Sequence, residues 1–352
     1  MRMTAKISQG QLLCLLLICR IADLMTFVPL IREGYSFKAY CTAALISTVV
    51  QALLVIPLII FSHRYKEQTV TGAICQKNRT AGVIAAALYL VFFLIGAVNG
   101  IAGFMRYLNS RFFSDTGYGI MLAVFCAVCI YCAHCGIEGL ARSSLFVLIF
   151  FLAVIAVMAA SSAGNYRSDN FYGSVFPDSL PKAVIADLAR NSEIAAAAFL
   201  VKNTYGNCRR SLYGLLGAKL VLTGAVMAMI TGVLGGYALL TDYPLMEVGS
   251  YSETRLFQRN DALYLIAWTL AAVISVSVFI RISAGLAREI FPRLKRCCAV
   301  TGAVSAGAAL FMLENGLRIG QGADIVTGVL AAVLTGIIPL VLCLCGRKEG
   351  AE

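Results

Sequence analysis

Charged side chains interrupt two otherwise apolar segments of this chain. They are Arg20 and Asp23 within residues 10–31, and Asp187, Arg190 and Glu193 within residues 181–201. A charge at the centre of a bilayer costs roughly 2.5–3.5 kcal/mol on insertion scales, so such residues usually have a function. The two interruptions lie about half a chain length apart. Polar-interrupted helices at matching places in two halves of a repeat are the pattern of a transporter-type binding site.

The first interrupted segment allows two interpretations. Arg20 and Asp23 are three residues apart, so on a helix they share one face and could neutralise each other in a buried ion pair. Alternatively, the backbone near residues 21–24 unwinds and contacts a small charged or zwitterionic ligand, with Pro29 loosening the following turn.

The second interrupted segment repeats the spacing of three with Asp187, Arg190 and Glu193. Asn191 and Ser192 lie between these charges, and both are poor helix formers because their side chains compete for backbone hydrogen bonds. We therefore expect a break in this helix. A carboxylate at the break could bind the ammonium group of an amino acid or pair with Arg190.

A third apolar segment contributes hydroxyl groups that could bind a ligand or a cation. Ser275 and Ser277 lie inside it, although a serine in a helix more often bonds back to the carbonyl four residues earlier. The candidate ligand-binding residues of the chain are Arg20, Ala22, Asp23, Thr26, Arg190, Asn191, Ser192, Glu193 and Ser275.

Four cysteines recur at a constant spacing of three beside His134; they are Cys126, Cys129, Cys132 and Cys135. On a helix each step of three falls short of a full turn, so the thiols spiral around the axis and cannot converge on one metal ion. We expect them to pack as small apolar residues, without a metal or another cofactor. The sequence also lacks a Walker motif, G-x-S-x-G and H-E-x-x-H, which argues against nucleotide use, hydrolysis and enzymatic activity.

Composition identifies the environment in which these residues lie. Hydrophobic residues make up 60% of the 352 residues and charged residues 13%, with a mean hydropathy of +0.83. Soluble domains carry about 25% charged residues, so the chain is predicted to be an all-α polytopic membrane protein. The net charge of +11 is spread over short clusters between apolar runs, which is typical of cytoplasmic loops and not of a nucleic-acid-binding face.

The apolar runs predict ten transmembrane helices, because one span needs about 20 apolar residues. They lie near residues 10–31, 39–62, 81–105, 117–136, 143–163, 182–201, 212–240, 261–283, 298–313 and 324–345. Five spans per half make the second half enter the membrane from the opposite side, as an inverted repeat of about 8–164 and 178–346 in one domain, 1–352. Lys and Arg, Lys219 included, are commoner on the side of the N-terminus, which predicts that both termini are cytoplasmic.

Four stretches of the sequence resemble a known family in their order and spacing. They are ISQGQLL at 7–13, GIEGLARSSLFVLIFFL at 136–152, NSEIAAAAFLV at 191–201 and DYPLMEVGSYSETRLFQRNDALYLIAW at 242–268. Together they resemble the B-subunit permeases of bacterial spore germinant receptors, which belong to the amino acid–polyamine–organocation transporter superfamily. The chain departs from the family pattern at Ser192, where relatives have glycine, and at Arg20 and Asp23, where relatives tend to have small residues.

The resemblance implies a LeuT-like five-plus-five inverted repeat in which helices 1 and 6 are broken at a central site. It also implies a place in the spore inner membrane, beside a larger membrane A-subunit and a lipoprotein C-subunit. Such a subunit senses a nutrient, usually an amino acid, and triggers germination. Two alternatives stay open: a stand-alone amino acid transporter coupled to protons or sodium through Glu193 or Asp23, and a scaffold whose site is plugged by Arg20 and Asp23.

Overall fold

The computed structural model describes residues 6–26, 37–65, 68–113, 117–171, 180–189, 192–206, 208–251, 261–317 and 321–345. The α-helices in these ranges, numbered in chain order, are α1 Gln9–Thr26, α2 Phe37–Arg64, α3 Val70–Lys77, α4 Arg79–Arg111, α5 Tyr118–Cys135, α6 Ile137–Ser162, α7 Leu180–Ala189, α8 Ser192–Leu200, α9 Arg209–Leu234, α10 Pro244–Tyr251, α11 Asp261–Ile290, α12 Cys297–Glu314, α13 Gln321–Ala332 and α14 Ile338–Cys345. A π-helical turn, Val333–Ile337, joins α13 to α14. The described residues form no strand, and their β-pairing is a single bridge between Ile7 and Thr204.

Seven helices of the described ranges are long and apolar enough to cross a membrane. They are α2, α4, α5, α6 with the turn that follows it to Asn165, α9 with the turn that follows it to Leu239, α11 and α12. The chain is therefore a multi-pass helical membrane protein. The other three expected spans coincide with α1, with α7 followed by α8, and with α13 followed by α14.

Helix α1 lies in the middle of the bundle. It packs against α6, α8, α9 and α11, and most of its side chains from Leu12 to Met25 are buried. A helix that is apolar on nearly all sides is stable only when other helices surround it. The charged residues of α1 therefore lie inside the protein and not in a loop.

The unwinding expected near residues 21–24 is wrong. Helix α1 continues through these residues to Thr26, and residues 27–36 lie outside the described part of the chain. An intact helix pairs its backbone N–H and C=O groups internally, which an apolar interior favours. The charges of α1 do not need an open backbone, because side chains on α7 and α8 contact them.

The expected sixth span contains two helices of the described ranges, α7 and α8. Helix α7 ends at Ala189 and α8 begins at Ser192, while Arg190 and Asn191 between them lie outside the described residues. Helix α7 packs against α2 and α13, whereas α8 packs against α1. Two different surroundings for the two halves place the Asp187 side chain and the Glu193 side chain in different parts of the same polar cluster.

The connection from α5 to α6 is one residue long. Gly136 has a φ of 99°, a backbone conformation that side-chain-bearing residues rarely adopt. This glycine opens the stretch GIEGLARSSLFVLIFFL, so the resemblance noted there includes a position at which the backbone requires glycine. The short turn sends α6 back across the bundle to pack against α1 and α11.

The stretch ISQGQLL ties the start of α1 to the chain after α8. The backbone N–H of Ile7 donates to the carbonyl oxygen of Asn203 at 2.7 Å, and the N–H of Tyr205 donates to the carbonyl of Ile7 at 3.0 Å. The Ser211 hydroxyl, on α9, donates to the carbonyl of Gln9 at 2.9 Å. These bonds join the N-terminal part of the described chain to the segment between α8 and α9 and to the start of α9.

Candidate functional site

A buried ion pair joins α1 to α7. Arg20 Nη2 lies 2.9 Å from Asp187 Oδ1, and both side chains are 4% exposed. Burying two charges carries a large desolvation cost, which is offset only when the ions are paired and their remaining polar atoms are hydrogen bonded. The second oxygen of Asp187 meets this requirement through groups on two further helices.

A closed chain of polar contacts links Asp187 to α2 and α9. The Ser47 hydroxyl donates to Asp187 Oδ2 at 2.6 Å and accepts from Gln51 Nε2 at 2.8 Å. Gln51 Oε1 in turn accepts from Lys219 Nζ at 2.6 Å. Lys219 Nζ lies 3.8 Å from Asp187 Oδ2, which completes the ring. The ring fixes α2, α7 and α9 relative to one another around one carboxylate.

The predicted position of Lys219 among the cytoplasmic residues is wrong. Its side chain is 2% exposed within α9, and the ammonium group points into the cluster. Counting Lys and Arg by loop gives the wrong position because Lys219 closely follows the exposed Arg209 and Arg210, which lie at the start of the same helix. A lysine within the apolar run LYGLLGAKLVLTGAV was the available signal, by the same reasoning that singled out Asp187.

Glu193 is the least satisfied group of the cluster. It is 0% exposed, and within the described part of the chain neither of its carboxylate oxygens accepts a hydrogen bond. Among the residues that the structure describes, its nearest opposite charge is Lys219 Nζ, 4.0 Å from Glu193 Oε1. A buried carboxylate without donors is costly, so its oxygens are available acceptors for a group that enters the site.

A weaker contact joins α1 to the first turn of α8. The Ser192 hydroxyl donates to Asp23 Oδ2 at 3.3 Å, and both residues are half-buried. Asp23 also lies at the N-terminal end of α8, where the helix dipole favours a negative charge. The structure therefore places Arg20, Asp23, Ser192 and Glu193 in one cluster, in which Arg20 contacts Asp187 and Ser192 contacts Asp23.

The other candidate residues have different positions. Ala22 is buried on α1, and Ser275 is buried on α11 beside Cys19 of α1. The side chain of Thr26 lies outside the described residues, as do Arg190 and Asn191. Ser277 donates to the carbonyl of Val273 at 2.6 Å, which confirms the expected bond to the residue four positions earlier.

An aromatic layer contacts the Met25 end of α1. Trp268 is 0% exposed, and its ring centroid lies 4.1 Å from that of Tyr107 and 5.8 Å from that of Tyr264. The Tyr264 hydroxyl donates to the carbonyl of Met25 at 3.5 Å. Beyond this layer, Arg111 of α4 forms an ion pair with Glu247 of α10.

The four cysteines of α5 differ in exposure. Cys126 and Cys129 are buried, Cys132 is half-buried and Cys135 is exposed. The described residues contain no group of three or more His, Cys, Asp or Glu side chains placed to hold a metal ion.

Comparison with solved structures identifies the fold. The structure is similar to the substrate-bound, outward-open state of a Na⁺-coupled sialic acid symporter, with a TM-score of 0.65 and 14% identity over 97% of this chain and 91% of that chain. It is also similar to MhsT in complex with L-phenylalanine, with a TM-score of 0.58 and 15% identity over 92% of this chain and 87% of that chain. The chain thus has the LeuT fold of transporter proteins.

The sequence comparison finds a similarity to one family. Residues 6–179 match the profile of the spore permease family, described as spore germination protein. No curated protein sequence matches the chain. Over residues 6–179 the chain is therefore similar to the spore germination permease family, and the whole chain has a transporter fold that agrees with this similarity. The matched range ends just before α7, so Asp187, Glu193 and Lys219 lie beyond it.

Proposed function

We propose that this protein is the nutrient-sensing B-subunit of a spore germinant receptor. A small nutrient, most simply an amino acid, binds between α1, α4, α8 and α11. The family match and the transporter fold support the class of function. The single observation that carries the site is the Glu193 carboxylate, which is fully buried without a hydrogen-bond donor among the described residues.

In this proposal the ammonium group of the nutrient supplies the donors that Glu193 does not find among the described residues. An ammonium group carries three N–H donors and a positive charge, so it forms strong charge-assisted hydrogen bonds with a carboxylate. Asp23 and Ser192 lie at the junction of α1 and α8 and provide further polar contacts for the ligand. Arg20 holds Asp187, which keeps α7 fixed beside the site.

Signalling requires that the nutrient favours one conformation. A ligand shifts an equilibrium only as far as it binds one state more tightly than the other. The helix break that the sequence predicts at Asn191 and Ser192 is the proposed hinge, and the A-subunit and the lipoprotein C-subunit are the proposed receivers of the signal. The fuller architecture belongs to the same proposal: ten spans, inverted repeats at about 8–164 and 178–346, cytoplasmic termini and a place in the spore inner membrane.

The test is ligand-induced thermal stabilisation of the purified protein across the common amino acids. A ligand at a hundred times its dissociation constant adds about 2.7 kcal/mol to the free energy of unfolding. The wild type is compared with Glu193→Gln, and the same variant is tested for nutrient response in spores. If no amino acid stabilises the wild type, or if Glu193→Gln responds as the wild type does, this site is wrong.

A second candidate function is amino acid transport by the chain alone, coupled to protons or sodium. The similarity to a Na⁺-coupled symporter favours it. Uptake of labelled amino acid by liposomes containing only this protein would support transport, whereas binding without uptake would support the sensor. A ligand-free scaffold, the third alternative, predicts neither binding nor uptake.

A further inference from the structure

The ammonium group of Lys219 lies among oxygen atoms from three different helices. Lys219 Nζ is 2.6 Å from Gln51 Oε1 on α2, 3.8 Å from Asp187 Oδ2 on α7 and 4.0 Å from Glu193 Oε1 on α8. Lys219 and these three neighbours are all buried. Two carboxylates and an amide carbonyl are hard oxygen donors, the kind of group that binds cations such as the alkali and alkaline-earth ions.

Among the described side chains that are fully buried here, the charges are balanced only when Lys219 is present. Among the fully buried side chains of the cluster, Arg20 and Lys219 are positive and Asp187 and Glu193 are negative. Arg20 pairs directly with Asp187 at 2.9 Å, while Glu193 has Lys219 as its nearest opposite charge. Without the ammonium group, a carboxylate would remain buried and uncompensated, which is strongly destabilising.

We propose that Lys219 is a tethered cation that occupies the place of a diffusible monovalent cation at the junction of α2, α7, α8 and α9. The lysine supplies the positive charge that holds the Asp187 and Glu193 carboxylates together. Nutrient binding at the adjoining Glu193 therefore does not require sodium. Removal of the lysine side chain converts this junction into a binding site for a small monovalent cation.

The experiment measures thermal stability of the protein in lipid nanodiscs without any nutrient. Sodium chloride is titrated against N-methylglucamine chloride at constant ionic strength, so that only the small cation changes. Lys219→Ala leaves space and removes the charge, whereas Lys219→Met removes the charge but fills the space. We expect the melting temperature of the wild type to be independent of sodium. That of Lys219→Ala is lower by several degrees and recovers saturably with sodium, and Lys219→Met is lower without recovery.

A double variant separates charge balance from packing. Glu193→Gln combined with Lys219→Ala removes one charge of each sign, so we expect it to be more stable than Lys219→Ala in sodium-free medium and insensitive to sodium. If Lys219→Ala cannot be obtained folded without sodium, it is purified in high sodium; recovery only there supports the proposal. Failure in both media overturns it.

Three further results also overturn the proposal. They are saturable stabilisation of the wild type by sodium, a sodium response of Lys219→Ala no larger than that of Lys219→Met, and a double variant as unstable as Lys219→Ala. The proposal extends the proposed function to its ion requirement. Because the assay contains no nutrient, its failure is distinguishable from a failure of nutrient binding.

Discussion

Arg20 of α1 and Asp187 of α7 form an ion pair that is buried from solvent, with Nη2 and Oδ1 separated by 2.9 Å. The two residues are 167 positions apart in sequence, so the pair joins the two halves of the chain. In a bundle where most contacts are apolar, this pair and the ring through Ser47, Gln51 and Lys219 specify how α1, α2, α7 and α9 fit together.

Breaking this pair on one side is expected to destabilise the protein severely. Arg20→Leu leaves Asp187 with one partner fewer, and a buried pair broken on one side typically costs about 3–5 kcal/mol. The double variant Arg20→Leu with Asp187→Leu removes both charges and should recover part of that loss. Melting temperatures of Arg20→Leu, Asp187→Leu and the double variant in one detergent measure how strongly the two residues depend on each other.

An exposed pair provides the matched control. Arg142 and Glu138 on α6 lie 2.5 Å apart, with side chains 67% and 40% exposed. Such surface pairs contribute at most about 1 kcal/mol, so Arg142→Leu should change the melting temperature little. Equal losses for Arg20→Leu and Arg142→Leu would contradict the structural role of the buried pair.

The two carboxylates of the cluster are expected to behave differently when each is replaced by its amide. Asp187 accepts bonds from Arg20 and Ser47, so Asp187→Asn should reduce the amount of folded protein. Glu193 accepts no hydrogen bond within the described residues, and without its charge Lys219 still contacts Gln51 and Asp187, so Glu193→Gln should remain folded with a smaller loss of stability than Asp187→Asn. The nutrient response of Glu193→Gln should fall at least tenfold in potency, because a charge-assisted bond of more than about 1.4 kcal/mol is lost.

Germination assays over a range of nutrient concentrations, with the amount of protein in the membrane measured in parallel, distinguish these outcomes. A Glu193→Gln protein that is absent from the membrane would indicate that this carboxylate is structural. An Asp187→Asn protein that is present and responds normally would show that the ring of polar contacts does not hold the helices together.

Ser192 offers a test of the contact between α1 and α8. Ser192→Gly introduces the residue that relatives carry and removes the 3.3 Å bond to Asp23, and Ser192→Ala removes the bond while keeping a helix former. We expect each variant to lose about 0.5–1.5 kcal/mol of stability, the net worth of one hydrogen bond. If the contact also shapes the ligand site, both variants should change the relative potency of different amino acids. Thermal unfolding and a nutrient panel measure the two effects separately.

The sequence predicted that the charged residues are buried, but it did not predict which residues they contact. Arg20, Asp187 and Glu193 interrupt apolar runs, so their burial follows from their positions along the spans. Spacing within one helix suggested that Arg20 pairs with Asp23, yet Arg20 pairs with Asp187. Periodicity shows which residues share a face of one helix, whereas the choice of neighbouring helix depends on packing across the whole bundle.

Ser47 and Gln51 show why part of the site could not be predicted. One serine and one glutamine in an apolar span are ordinary, because their polar groups can be satisfied within their own helix. Ser47 and Gln51 belong to the cluster only because Asp187 and Lys219, on other helices, pack within hydrogen-bond distance of them. The helical backbone at residues 21–24 has a related cause, because Arg20 and Asp23 contact side chains on α7 and α8 without any opening of the backbone there.

Trp268 is the only tryptophan of the chain, and it provides a reporter for ligand binding. Its side chain is 0% exposed and packs against Tyr264, whose hydroxyl contacts the carbonyl of Met25 on α1. We expect fluorescence of the free protein to be that of a buried indole, with little quenching by iodide. A nutrient that shifts α1 relative to α11 should change this emission saturably in the wild type and leave it unchanged in Glu193→Gln. Tyr264→Phe, which removes the hydroxyl but keeps the ring, should retain nutrient binding with a smaller change in emission. An equal change in the wild type and in Glu193→Gln would mean that the emission does not report on this site.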